Sequence, residues 1–189
     1  MSRRLFLAID LDEPARTRLG ALAATLRARL ERERGLRVTW VAPDRMHVTL
    51  HFLGQVEADR AESIVAAMAP PIAVPAFTLT IDRLGAFPGL GRPRVLWAGG
   101  PGVPAIVDVH RLMGERMAAC GCELDERPFS PHVTLGRVRE SRGSLPALPR
   151  IEPPIEFGIA RVTLYESQLS AEGPRYTPVA FTALAGPDD

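Results

Sequence analysis

The chain has 189 residues, 46% hydrophobic and 24% charged, which is long enough for one sizeable core of ordinary soluble composition. A formal net charge of +1 gives no strong electrostatic case for binding a long stretch of nucleic acid, while a short, end-on or single-nucleotide contact is compatible with it. All 23 basic residues are arginine, a bias whose bland source is codon composition; any cationic contact to phosphate therefore falls to a planar guanidinium fork.

Leu5 to Ile9 is a continuous apolar run and reads as a central strand. It stops at Asp10, too short for a secretory h-region, and no other stretch is long enough to span a membrane. Asp10 to Glu13 supplies acidic capping chemistry and Pro14 suits a first turn, so Leu19, Leu22, Leu26 and Leu30 line one face of a long helix closed by Gly35. Val38 to Val41 reads as a short strand and Pro43-Asp44 as a turn. From Met46 to Leu53 strict alternation predicts a core face of Met46, Val48, Leu50 and Phe52, with His47, Thr49, His51 and Leu53 opposite, and Gly54 ending the strand. Ala61, Ile64, Val65 and Met68 mark a second helix stopped by Pro70-Pro71.

Phe77, Leu79 and Ile81 alternate as a strand, and the Gly- and Pro-rich stretch 85–94 reads as a loop anchored by Phe87. Val95 to Ala98 is another strand. Ile106, Val109, Met113 and Met117 carry a third helix closed by Gly121, with His110 facing solvent. Cys120 and Cys122 are too close for an unstrained disulfide and read as reduced thiols of a cytoplasmic protein. Residues 141–154 hold four prolines and read as a connecting loop, before strands over Ile159–Tyr165 and Tyr176–Leu184. Many strands and three helices in no strict βαβ order predict an α+β fold with antiparallel sheets.

His47-Val48-Thr49-Leu50 recurs unchanged at His132-Val133-Thr134-Leu135, and an apolar strand followed by a helical pattern precedes each copy. Strand, helix, strand with His-x-Thr therefore occurs twice, an internal duplication. His and Thr two apart on a strand share a face, with Cα atoms roughly 6.8 Å apart. If the two strands meet, two imidazoles and two hydroxyls face one small anion. Arg137 lies five residues beyond His132, where alternation puts it on the opposite face unless the chain bends at Gly136. Trp40, Phe52, Phe87 and Trp97 are able to stack a base but read first as core residues.

With these residues in view the chain resembles the 2H phosphoesterases, specifically the bacterial and archaeal RNA 2′,3′-cyclic phosphodiesterases, also called 2′-5′ RNA ligases. The resemblance rests on Leu5 to Asp10, Trp40 to Gly54, Gly85-Ala86-Phe87-Pro88 with Val95-Leu96-Trp97, Arg127 to Arg137, and Leu164 to Ser167 with Gly173 and Tyr176. It implies one domain over 1–189 built of two intertwined lobes, with two antiparallel sheets related by a pseudo-two-fold axis, helices on the outer faces and a central groove. It implies hydrolysis of a 2′,3′-cyclic phosphate to a 2′-phosphate with neither metal nor other cofactor, and reversible ATP-independent 2′-5′ ligation. In that family's assignment His47 is proton donor and His132 acceptor, while Thr49, Thr134 and Arg137 bind the phosphate. His51 stands where the family usually has a basic residue. The implied partners are RNA 3′ ends or nucleotides carrying the cyclic phosphate, and the implied state is a monomer in the cytoplasm.

Three other readings stay open on the residues alone. One is a metal-dependent phosphohydrolase using His47, His51 and His132; another is a non-enzymatic binder of RNA ends. A third is a related two-histidine enzyme acting on a small cyclic nucleotide.

Overall fold

The apolar run near the start of the chain becomes β1 (Arg3–Asp10), whose Leu5 to Ile9 are all buried because strands flank it on both edges. The computed structural model describes residues 2–34, 36–141, 143–170 and 173–186. In chain order β1 is followed by α1 (Glu13–Arg34), β2 (Arg37–Trp40), a 3-10 turn (Pro43–Arg45), β3 (His47–Val56), α2 (Ala58–Ala67) and β4 (Ile72–Ala73). Then come β5 (Phe77–Phe87), β6 (Val95–Gly99), α3 (Pro104–Ala119), β7 (His132–Glu140), β8 (Arg150–Ile159), β9 (Arg161–Ser170) and β10 (Gly173–Ala185). Asp12 caps α1 by accepting from the Ala15 N–H at 2.8 Å. Gly35, expected to close that helix, lies outside the described residues.

The fold is α+β, as the element pattern predicted. The strands run β4-β10-β9-β1-β3-β7-β6-β5-β8, with β2 alongside β7, and every pairing except β10 with β4 is antiparallel. The two halves meet at β3 and β7 through one residue pair, Val48 with Val133, so the two expected sheets run into each other there. The helices cross between halves. From the first half of the chain, α1 lies against β8, where Arg18 donates to the carbonyls of Pro153 and Pro154 at 2.6 and 2.9 Å. Leu30 of α1 packs in one cluster with Leu96 and Leu145. From the second half, α3 packs on α2 and β3.

Three loop or boundary expectations are corrected. Gly54 does not end β3; it sits inside the strand at φ 71°, beside a register shift, and pairing continues to Val56. Gly85 to Phe87 are not loop but the end of β5, paired with β6. The glycine there serves packing: a Cβ at residue 85 would lie 2.1 Å from the Trp97 ring. The proline-rich stretch 141–154 is strand from Arg150 onward, because β8 is the outermost strand of its half, where missing N–H groups cost no ladder bond. Cys120 and Cys122 are free thiols. Among the described residues no helix is long and apolar enough to cross a membrane.

Candidate active site

The pairing of Val48 with Val133 fixes the geometry of both motifs. In an antiparallel pair with that register, His47 stands opposite Thr134 and Thr49 opposite His132. Both valines are fully buried, so their neighbours on either side point the other way, onto one shared face. The four motif side chains therefore form a rectangle with a local two-fold axis through the valine pair.

The two imidazoles are held in the same manner. His47 Nδ1 lies 2.8 Å from the Arg45 carbonyl, and His132 Nδ1 lies 2.8 Å from the Ser130 carbonyl, in each case two residues earlier. A carbonyl only accepts, so each Nδ1 carries the proton and each Nε2 is left to exchange one. Thr49 Oγ1 lies 3.1 Å from His47 Nε2 and donates to it when the ring is neutral. Aromatic rings wall each histidine. Phe6 and Tyr176 stand 5.1 and 5.4 Å from the His47 ring; Phe87 stands 5.0 Å and Trp97 6.5 Å from the His132 ring. Phe87 and Trp97 are thus walls of the site as well as packing residues, whereas the sequence offered them as core first. Phe6 and Tyr176 were absent from the sequence-based candidates, and their only signal was a place in the blocks of resemblance.

Burial among these rings lowers both imidazoles below 6.5. The charges beside them differ in sign. Besides its backbone bond, His47 is raised by the Asp10 carboxylate, which sits across from it in the β1–β3 register, and lowered by His132. His132 is raised by the Ser130 carbonyl and lowered by the Arg137 guanidinium. Asp10 itself is fixed, accepting from the Tyr165 hydroxyl at 2.6 Å and the Thr163 hydroxyl at 2.8 Å.

Strict alternation fails at matching places in the two motif strands, just beyond each His-x-Thr. On β7, Gly136 pairs with Leu96 and Thr134 with Trp97, so Leu135 is an extra residue and the strand bulges. The bulge turns Arg137 to the face of His132, the bend at Gly136 that the sequence required. On β3, Thr49 pairs with Ala8 and His51 with Leu7, so Leu50 is the extra residue. His51 is consequently turned into the core at 6% exposure, and Phe52, expected in the core, is 57% exposed on the face of His47 and Thr49. His51 Nε2–H donates to the His110 carbonyl at 2.8 Å, and its ring stacks on His110 at 4.0 Å. His110, expected in solvent, is half-buried between His51 and Phe129. His47, His51 and His132 therefore do not converge, and among the described residues no three His, Cys, Asp or Glu side chains form a metal-ligand set. Trp40 packs against the core, as read.

Comparison with known proteins agrees with this architecture. The family model described as LigT like Phosphoesterase matches residues 9–97 and 103–176. The RNA 2′,3′-cyclic phosphodiesterase of Escherichia coli K12 is 34% identical over 186 residues, covering 96% of this chain and 97% of its own. That of Thermotoga maritima is 30% identical over 178 residues, covering 92% and 91%. The crystal structure of E. coli LigT complexed with 3′-AMP superposes with a TM-score of 0.79 at 32% identity, over 98% of this chain and 99% of that one.

Proposed function

The chain belongs to the LigT-like phosphoesterase family and is an enzyme, and from that premise we propose that it hydrolyses RNA 2′,3′-cyclic phosphate ends to 2′-phosphates without a metal ion. The observation that carries the reading is the Val48–Val133 register, in which His47 faces Thr134 and Thr49 faces His132 on one side of the sheet, an arrangement that suits a single phosphate between them.

The charge partners favour one division of labour. Arg137 biases His132 toward the neutral form, which suits a base; Asp10 biases His47 toward the charged form, which suits an acid. His132 Nε2 takes a proton from water as the oxygen attacks phosphorus, the P–O3′ bond breaks, and His47 Nε2–H protonates the departing O3′. The ester to O2′ survives. Each transfer contributes about 10²–10⁴ in rate. Negative charge grows on the non-bridging oxygens, where the Thr49 and Thr134 hydroxyls donate and Arg137 supplies its fork. The same displacement with a 5′-hydroxyl in place of water joins two ends through a 2′-5′ bond, and its reversal would cleave that bond. Phe52, apolar and exposed on the same face, offers a ring on which the terminal base stacks.

The test is product analysis. Purified protein in EDTA is given an oligonucleotide ending in a 2′,3′-cyclic phosphate, and a 2′-phosphate is expected. A 3′-phosphate product reverses the leaving-group assignment, and loss of turnover on chelation defeats the metal-free reading.

A further inference from the structure

Beside His47, on the side away from His132, a cavity of about 640 Å³ opens between α1, the 3-10 turn and β10. Arg16, Arg45 and Arg175 line it, together with Tyr165 and Tyr176. Tyr176 also meets the His47 ring edge-on, so the cavity and the reaction face share a wall.

The arginines are under-used by the protein. Arg45 donates once, from Nη1 to the Pro174 carbonyl at 3.3 Å. Gly173, at φ 106°, leaves the room it occupies, since a Cβ there would stand 2.5 Å from Arg45 Nη1. Arg16 donates to the Leu11 carbonyl at 3.0 Å and to Glu13 at 3.4 Å, but its Nε–H is buried without a partner. Arg175 is exposed. Two carboxylates also line the space. Asp10 is engaged by two hydroxyls and faces Arg161 at 3.6 Å, while Asp44 is exposed on the turn.

The chemistry of the substrate says what reaches this space. If His47 protonates O3′, the carbon bearing that oxygen lies beside His47. Its neighbour C4′ carries C5′ and hence the next phosphate of the chain. Water enters from His132, on the other side. The strand upstream of the reacting end must then leave past His47. We propose that the Arg16–Arg45–Arg175 cavity seats the phosphate on the 5′ oxygen of the terminal nucleotide, so that the enzyme selects RNA ends over free nucleoside cyclic phosphates. This rests on the activity and the acid–base assignment given above. An acceptor strand for ligation is placed elsewhere, since its 5′-hydroxyl replaces the water at His132.

The experiment compares adenosine 2′,3′-cyclic phosphate with the same compound carrying a 5′-phosphate, and with the dinucleotide ApA 2′,3′-cyclic phosphate. The expected kcat/KM is about tenfold higher for both 5′-phosphorylated substrates, the scale of one charge-assisted hydrogen bond, and lies mainly in KM. In Arg45→Ala and Arg175→Ala that ratio falls several-fold. Arg175 is exposed, so its variant keeps the fold if Arg45→Ala does not. A ratio near one in the parent overturns the proposal while leaving the activity standing, as does a parental ratio that survives in both variants. No turnover of any of the three compounds overturns the activity reading and this proposal together.

Discussion

Phe52 and Arg137 occupy equivalent places, each five residues beyond a motif histidine and each turned onto the reaction face by a one-residue bulge. The duplication thus puts an apolar ring on one side of the two-fold and a cation on the other, and the symmetric frame acquires a direction. A nucleotide is asymmetric in the same sense, with a flat base at one end and an anion at the other. Phe52→Ala is expected to raise KM about tenfold for a nucleoside cyclic phosphate, since stacking a base on an aromatic ring contributes about 1–3 kcal/mol. The melting temperature should hold, because the ring is largely in solvent. Unchanged KM with a lowered melting point would return Phe52 to a packing role.

Arg137 tests the other arm. In the proposed mechanism its fork binds the phosphate, and it is on the face of His132 only because Gly136 lets β7 bulge against β2; a Cβ on Gly136 would lie 2.5 Å from Val38 Cγ1. Arg137→Ala is expected to lower kcat/KM by about 10²-fold with little change in stability, the size seen when one preorganised donor is removed from a developing charge. Arg137→Lys should recover only part, for want of the bidentate geometry. Gly136→Ala should lower both activity and melting temperature, because it displaces β2. Equal activity of Arg137→Ala and the parent on a cyclic phosphate would remove this residue from the site.

These two bulges also mark where the sequence stopped being readable. The repeat of His-x-Thr with its preceding strand and helix predicted the α+β frame and the two motif strands, because period-2 patterning and duplication are local signals. Alternation does not hold through residues 50–52 and 135–137, where each strand inserts one extra residue. Gly136 is a visible sign of the bend that brings Arg137 round. No glycine stands at the equivalent place on β3, so alternation puts His51 and Phe52 on each other's faces. The His51–His110 stack joins residues 59 apart and leaves no trace in local pattern. Gly85 looked like a turn residue because composition cannot distinguish a glycine needed for φ from one needed to admit Trp97.

The pH dependence follows from the two lowered imidazoles. In the proposed mechanism His132 must be neutral and His47 charged, and kcat/KM reports both groups in the free enzyme. With both shifted below 6.5, both limbs of the bell move to the acid side, and kcat/KM should peak below pH 6.5 and decline above it. The limb belonging to His47 should move further toward acid in Asp10→Asn, which removes the carboxylate that raises it. Profiles on adenosine 2′,3′-cyclic phosphate between pH 4.5 and 8.5 measure this. A basic limb that stays put in Asp10→Asn would detach that limb from His47.

Stability should fall with acid for a reason located away from the site. His110, stacked between His51 and Phe129, is lowered by burial and by the charge of His51 to about 4, and His51 is lowered by burial as well. An unfolded histidine titrates near 6.5. Between about pH 6.5 and 4 the unfolded chain therefore binds a proton at residue 110 that the folded chain refuses, so stability rises with pH across that window. The contribution is fully present above 6.5 and is lost as the pH falls toward 4. His47 and His132 act in the same direction, so the parent alone does not isolate the pair. His110→Phe keeps a ring between His51 and Phe129 and removes the titrating group. Thermal unfolding from pH 7.5 to 4.5 should show a shallower decline in melting temperature for His110→Phe than for the parent. Parallel curves would mean that this stack takes up its proton without opening the fold.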